Sequence, residues 1–222
     1  MLVLCLDTAT ADVAAAVVDV AADTTRLVAT RIRRDARGAG EHLMPLALAA
    51  LADGSAQLGD LDAVVVGLGP GPFTGLRAGV VTGAVLAHTL GIPAYGVCSL
   101  DAYARPGAVV ATDARRREVY WAAYDVAGER VAGPAVDLPA DLAATLAGRP
   151  VLGPGALLYP DLLGRADGVD RAVADEPYPV GRLASLAADR IRAGALGEVL
   201  VPLYLRRPDV TEPVAAPPVA AR

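Results

Sequence analysis

The chain has 222 residues, 54% of them apolar and 20% charged, with a net charge of −5. It is long enough for one large domain or two lobes, too apolar to be disordered, and too acidic overall for a surface built to wrap a nucleic-acid backbone. All 20 basic residues are arginine, which excludes a Schiff-base lysine, a P-loop lysine and a lysine general base.

In chain order, LVLCLD (2–7) is a short apolar run ending in Asp7 and reads as a buried strand. Residues 11–20 and 25–34 read as two further strands, close enough in sequence to form an antiparallel meander. EHLMPLALAALAD (41–53) has apolar residues at helical spacing, with Pro45 tolerated in the first turn. LDAVVVGLG (61–69) is an unbroken buried strand, followed by a helix over 72–90 and a fifth strand at 92–97. Residues 78–98 lack formal charge, but Gly91 and Pro93 break them, so a buried helix and strand is expected rather than a membrane span.

The second half repeats this order: strands at 107–114 and 117–126, a turn at Gly128 into a third, a helix at 138–148, a strand at 150–155 and a closing helix at 179–194. Two echoes support a duplication: strand–Asp–turn–strand around Asp7 and Asp113, and strand–Gly-Pro-Gly in VVVGLGPG and PVLGPG. A half-length repeat of βββαβα is the pattern of the α/β actin-like, ribonuclease-H-like ATPase fold. The expected division is a lobe over 1–104, a lobe over 105–210 and a Pro/Ala-rich tail over 211–222. Cys5 and Cys98 sit in strand-like contexts and read as buried thiols of a reducing compartment; with no basic leader before Asp7, a cytoplasmic protein is expected.

GLGPGPFTG (67–75) invites a phosphate-loop reading. Pro70 and Pro72 remove two backbone donors, no lysine follows, and the glycine spacing is GxGxxxG. Gly69 and Gly71 fit a tight turn, although an anion could rest on the free N–H groups of residues 73–75. Gly75, Gly79, Gly83 and Ala87 recur every fourth residue. Interior glycines cost about 1 kcal/mol each, a cost normally offset by close approach of another backbone. The pattern leaves two partners open: this chain's own core, or helices of another chain.

Asp7 with Thr8, and Asp113, stand where an actin-like ATPase holds its Mg–phosphate machinery. The turns DTAT and DARRRE lack the glycine that lets a backbone approach phosphate, so capping of strands or turns is the competing role. His42 and His88 have no second ligand at helical spacing, and Ser99 has no GxSxG context. Trp121 and Tyr120 suit a packed face. The Arg115–Arg117 run fits a solvated turn or an anion contact.

GPGPFTGLRAGVVTGAVLAHTLGIPAYGVCSLDAYA (69–104) closely resembles the signature of the TsaB (YeaZ) family, and LDTAT, EHLMP, DARRREVYWAAYD and PLYLR agree with it. The resemblance covers nearly the whole chain and is weakest over 127–200. It implies a two-lobed actin-like fold and a non-catalytic paralogue of TsaD, the transferase that completes N6-threonylcarbamoyladenosine (t6A) in tRNA. TsaD's HxxxH metal motif falls on Ser99 and Tyr103 here, neither suited to such a site. Implied partners are TsaD, the ATPase TsaE, a second copy of the chain in isolation, and tRNA through the complex. No intrinsic cofactor is implied; ATP or ADP would sit at the interface with TsaD and TsaE. The pairing surface would be built from the first two helices, with His42, Leu43 and Leu46 on one, and Phe73, Leu76, Gly79, Val80, Gly83 and Ala87 on the other. The alternatives are an ATPase or kinase using Asp7 and Asp113, and a peptidase.

Overall fold

A computed structural model describes residues 1–35, 37–146, 148–163 and 177–206. The expected tail over 211–222 lies outside them. The first strand, β1 (Leu2–Asp7), is apolar and almost wholly buried, so it lies inside a sheet covered on both faces. It pairs antiparallel with β2 (Asp12–Val20), which pairs antiparallel with β3 (Thr25–Arg34), the meander expected from the short connections. Helix α1 (Ala39–Asp53) carries the chain over the sheet to β4 (Ala63–Gly67), parallel to β1. Helix α2 (Phe73–Leu90) then leads to β5 (Ala94–Val97), parallel to β4. The order is β3-β2-β1-β4-β5.

The second half repeats the plan. Strands β6 (Val109–Asp113), β7 (Val119–Tyr124) and β8 (Arg130–Asp137) form an antiparallel meander, and β9 (Val151–Leu152) joins β6 in parallel, giving β8-β7-β6-β9. Helix α3 (Pro139–Thr145) makes the crossover, and the short α4 (Pro154–Leu158) and α5 (Pro160–Leu163) follow β9. Helix α6 (Arg182–Arg192) comes last.

Three cores result. α1 and α2 cover one face of the first sheet, burying Leu4, Leu43, Val64 and Val80. α3 to α5 cover one face of the second, around Val109, Leu142 and Leu163. The third core joins the two remaining faces: Cys5, Ala16 and Val65 from one sheet and Val110, Ala122 and Tyr124 from the other close on Leu183, Ala187 and Ile191 of α6. A cut at residue 104 therefore does not separate two complete lobes, because α6 covers the first sheet although it follows the second.

The glycine stripe of α2 faces inward. A Cβ on Gly75 would meet the Thr8 carbonyl at 2.5 Å, and Cβ atoms on Gly79 and Gly83 would overlap Thr8 Oγ1 and Val66 Cγ2. The helix thus lies close against the β1–β2 turn and against β4. This resolves the two partners left open by the pattern: the stripe packs against this chain's own sheet. Leu43, Leu76, Gly79, Val80, Gly83 and Ala87, named above as partner-facing, are buried inside the chain.

Candidate functional site

β1 delivers Asp7 to the C-terminal end of the first sheet, where parallel β4 and β5 also end. The side chain is wholly buried. Its Oδ1 accepts the Ala9 N–H at 2.6 Å; its Oδ2 accepts the Ser99 hydroxyl at 2.5 Å and the Tyr178 hydroxyl at 2.8 Å. Gly67, at the end of β4, leaves the space this carboxylate fills, since a Cβ there would overlap Asp7 Oδ2. Burial raises the Asp7 pKa above the ordinary 3.8, against the opposing pull of its three donors, Ser99 foremost.

The donors come from distant segments. Ser99 opens the 3-10 turn Ser99–Tyr103 and also accepts the Gly69 N–H at 3.0 Å. Tyr178 precedes α6, donates as well to the Ser99 carbonyl, and meets Tyr103 edge-on with ring centroids 5.3 Å apart. The same turn grips the second lobe, where Asp101 accepts from the Tyr124 hydroxyl at 2.7 Å and from Arg130 at 3.1 Å. Nothing in the sequence signalled the part played by Tyr178, which lies 171 positions from Asp7.

The residues at this place do not fit a metal ion. Ser99 and Tyr103 offer neutral hydroxyls, the first committed to Asp7 and the second buried against Tyr178. Among the described residues no three His, Cys, Asp or Glu gather in a group able to hold one. His42 pairs with Asp35 at 3.1 Å on α1's first turn, far in sequence from His88 at the end of α2. Burial pushes the Cys5 and Cys98 thiols up to about 12, which leaves them unreactive packing groups.

Asp113 has a different setting. It is partly exposed, accepts the Arg115 N–H at 2.7 Å and pairs with the Arg115 side chain at 3.1 Å. It lines a cleft of about 340 Å³ between the lobes, together with Thr10, Arg34, Thr112, Arg115 and Leu157. Asp7 does not reach this cleft, so the two acids are not brought together. The glycine loop is not open either: Gly71 and Gly75 sit against the carbonyls of Ala9 and Thr8, and the Thr8 hydroxyl donates to the Gly75 carbonyl at 2.7 Å.

The outward side of α1 and α2 presents Pro45, Leu48, Val81, Ala84 and Val85, with Leu48 48% and Val81 and Val85 each 58% exposed. His42, Leu46 and Phe73 remain partly accessible beside it, Phe73 stacked on Tyr204 at 4.9 Å. No described helix is long and apolar enough to cross a membrane.

Comparison with known proteins agrees with this arrangement. Residues 33–154 match the family model described as TsaD, tRNA N6-adenosine threonylcarbamoyltransferase. An uncharacterized protein of Mycobacterium tuberculosis is 46% identical over 93% of this chain and 92% of its own. The solved structure of YeaZ from Pseudomonas aeruginosa is 27% identical and superposes with a TM-score of 0.72, covering 92% of this chain and all of that one. The tRNA threonylcarbamoyladenosine biosynthesis protein TsaB of Bacillus subtilis is 34% identical over 66% of this chain and 70% of its own. With a TsaB relative 34% identical over 70% of its length, a family model matched over more than half of the chain and YeaZ superposed over its whole length, the chain belongs to the TsaB (YeaZ) family of actin-like folds.

Proposed function

We propose that this protein acts in t6A biosynthesis in the cytoplasm as a non-catalytic subunit that binds and activates a TsaD-type transferase, with TsaE joining through bound nucleotide. The observation that carries this reading is the sealed carboxylate. At the end of β1, where an actin-like ATPase works on phosphate, Asp7 is spent on Ala9, Ser99 and Tyr178. With no accessible surface and three protein donors on its two oxygens, this carboxylate is closed to a substrate entering from solvent. The family names of its relatives support the pathway.

The pairing surface we assign is the outward side of α1 and α2, centred on Leu48, Val81 and Val85 and edged by His42, Leu46 and Phe73. Apolar side chains this exposed on two adjacent helices suit a helix-on-helix contact with the transferase, or with a second copy when the transferase is absent.

The test is reconstitution with the transferase, TsaE, ATP, threonylcarbamoyl-adenylate and tRNA. Modification should depend on this chain, and Val81→Asp/Val85→Asp should abolish co-elution with the transferase while leaving the melting temperature within a few degrees. Equal modification without the chain removes the reading. ATP hydrolysis by the isolated chain, lost in Asp113→Ala, would instead favour an enzyme working in the interlobe cleft.

A further inference from the structure

After α6 the chain runs back along the first lobe. Residues 195–206 form an extended strap beside β5 and α2. The Ala195 carbonyl accepts the Tyr95 hydroxyl at 2.6 Å, and the Glu198 N–H donates to the Ala94 carbonyl at 2.8 Å. The Glu198 carboxylate accepts the Gly96 N–H at 3.2 Å and pairs with Arg190, so the strap covers this edge of β5. Further on, the Leu203 N–H donates to the Leu68 carbonyl at 2.8 Å. Tyr204 then reaches the start of α2, where it meets Phe73 and its hydroxyl accepts from Arg77 at 3.1 Å.

An extended chain turns alternate side chains to opposite sides. Leu200 turns inward and packs with the core beneath α2. Its neighbours Val199 and Val201 turn outward, 89% and 61% exposed, and Leu196 is 91% exposed. On a strap that faced only water these outward places would be polar. Here Glu198 is the one charged residue between Ala195 and Leu205, and its carboxylate is engaged by Arg190 and Gly96.

These exposed side chains are continuous with those of α2. Val81, Ala84, Val85 and His88 form one stripe of the helix, at i, i+3, i+4 and i+7. Ala84 and His88 are also one wall of a groove of about 830 Å³, whose other wall is Leu196, Val199 and Leu200. The outward face of α1 and α2 thus passes across this groove onto the strap. The size of that face calls for the extension. A stable interface takes about 800 Å² and roughly 20–30 residues from each partner. α1 and α2 offer five outward residues, with three more at their edge. The strap and groove add the apolar area that a helix pair of this size lacks. Residues 33–154, which contain α1 and α2, match the TsaD model, so a transferase of that kind has segments similar to both helices to lay against this surface.

We infer that the strap over 195–201 and the groove beside it are the second half of the pairing surface, and that they take an apolar helix of the TsaD-type transferase. This rests on the proposed pairing with that enzyme, and adds to it a contact outside α1 and α2.

The test measures the Kd between the transferase and the full chain by isothermal titration calorimetry. The variants are Leu196→Asp/Val199→Asp on the strap, Val81→Asp/Val85→Asp on the helix and, as a control, Val126→Asp, whose side chain is 88% exposed on the β7–β8 turn. The strap variant should raise Kd at least about tenfold, and the control less than about twofold. The strap variant should melt within a few degrees of wild type, since neither side chain is buried. A second readout leaves the strap apolar: Val199→Cys carrying a benzophenone should crosslink to the transferase, and Val126→Cys should not. The native Cys5 and Cys98 are buried and do not compete for the label. An unchanged Kd for the strap variant, or no crosslink from position 199 while the wild type pairs, overturns the strap contact and leaves pairing through α1 and α2 standing. Weakened pairing in the strap variant with normal pairing by Val81→Asp/Val85→Asp supports the strap contact and sinks the helix face. Self-association lost in the strap variant, with the Kd for the transferase unchanged, shows that a second copy covers the strap and overturns the transferase as its occupant. No pairing by the wild type overturns both readings.

Discussion

Asp7 and Asp113 occupy the same place in two copies of one design, each closing the first strand of a meander before a turn. In the first lobe the turn lies down on α2, and the carboxylate is enclosed by Ala9, Ser99 and Tyr178. In the second the turn stands up into solvent on three left-handed arginines, and the carboxylate looks into the interlobe cleft. The difference comes from what lies over each strand end. Gly67 and the small residues of α2 give the first acid room to be buried, whereas the second lobe offers Pro154 and Leu157 beside a gap. A duplicated strand end is thus a scaffold position whose chemistry is decided by the elements that close over it.

The comparison can be broken most severely at the packing that seals the first acid. Gly83→Leu places a side chain where Val66 already sits and should cost 3 kcal/mol or more, seen as loss of soluble yield and of a cooperative melt. Such a variant loses partner binding through unfolding, unlike the surface pair Val81→Asp/Val85→Asp. Next comes Asp7→Ala, which strands the Ser99 and Tyr178 hydroxyls in the interior. About 3 kcal/mol of stability, or roughly 6–12 °C in melting temperature, should be lost. Tyr178→Phe removes one donor and should cost about 1–2 kcal/mol by denaturant unfolding. Asp113→Ala should change stability by no more than about 0.5 kcal/mol, because water can replace what it supplies; a loss as large as that of Asp7→Ala would erase the distinction between the two sites.

The pH dependence sharpens the same contrast. The folded-state pKa of Asp7 is raised above 3.8 by burial, so the native state keeps a proton that the unfolded chain releases. The stability this contributes is complete below the unfolded value and is lost as pH rises through the raised folded value. Asp7→Asn removes that loss. The stability gap between wild type and Asp7→Asn should therefore narrow as pH rises from 3.8 through the raised folded-state value, measured by urea unfolding. A constant gap would show that Asp7 titrates alike in both states.

Much of the fold was legible because the chain states it by periodicity. The unbroken run at 63–67, the apolar helix over 73–90 and the meander from 2 to 34 fall within a residue or two of their sequence limits. The second half was read more coarsely, since α4 and α5 are too short to show a period. The site was less legible. Periodicity marked the α2 glycines as a close-packing face but could not name the body against it, and that body is Thr8 and β4. The exposed Val81 and Val85 lie on the opposite side of the helix from the stripe that drew attention. Tyr178 was illegible for a physical reason: its hydroxyl meets Asp7 only through tertiary structure, and no local pattern encodes a contact across 171 positions.

Helix α6 also sets an order of events. The first sheet is translated first, yet the cover of one of its faces and one of the three donors to Asp7 are supplied by residues 178–192, made after the second sheet. On the ribosome the first lobe must therefore wait, half covered, through synthesis of the entire second lobe. A chain stopped before Tyr178 would emerge with an apolar sheet face and a buried acid both unfinished.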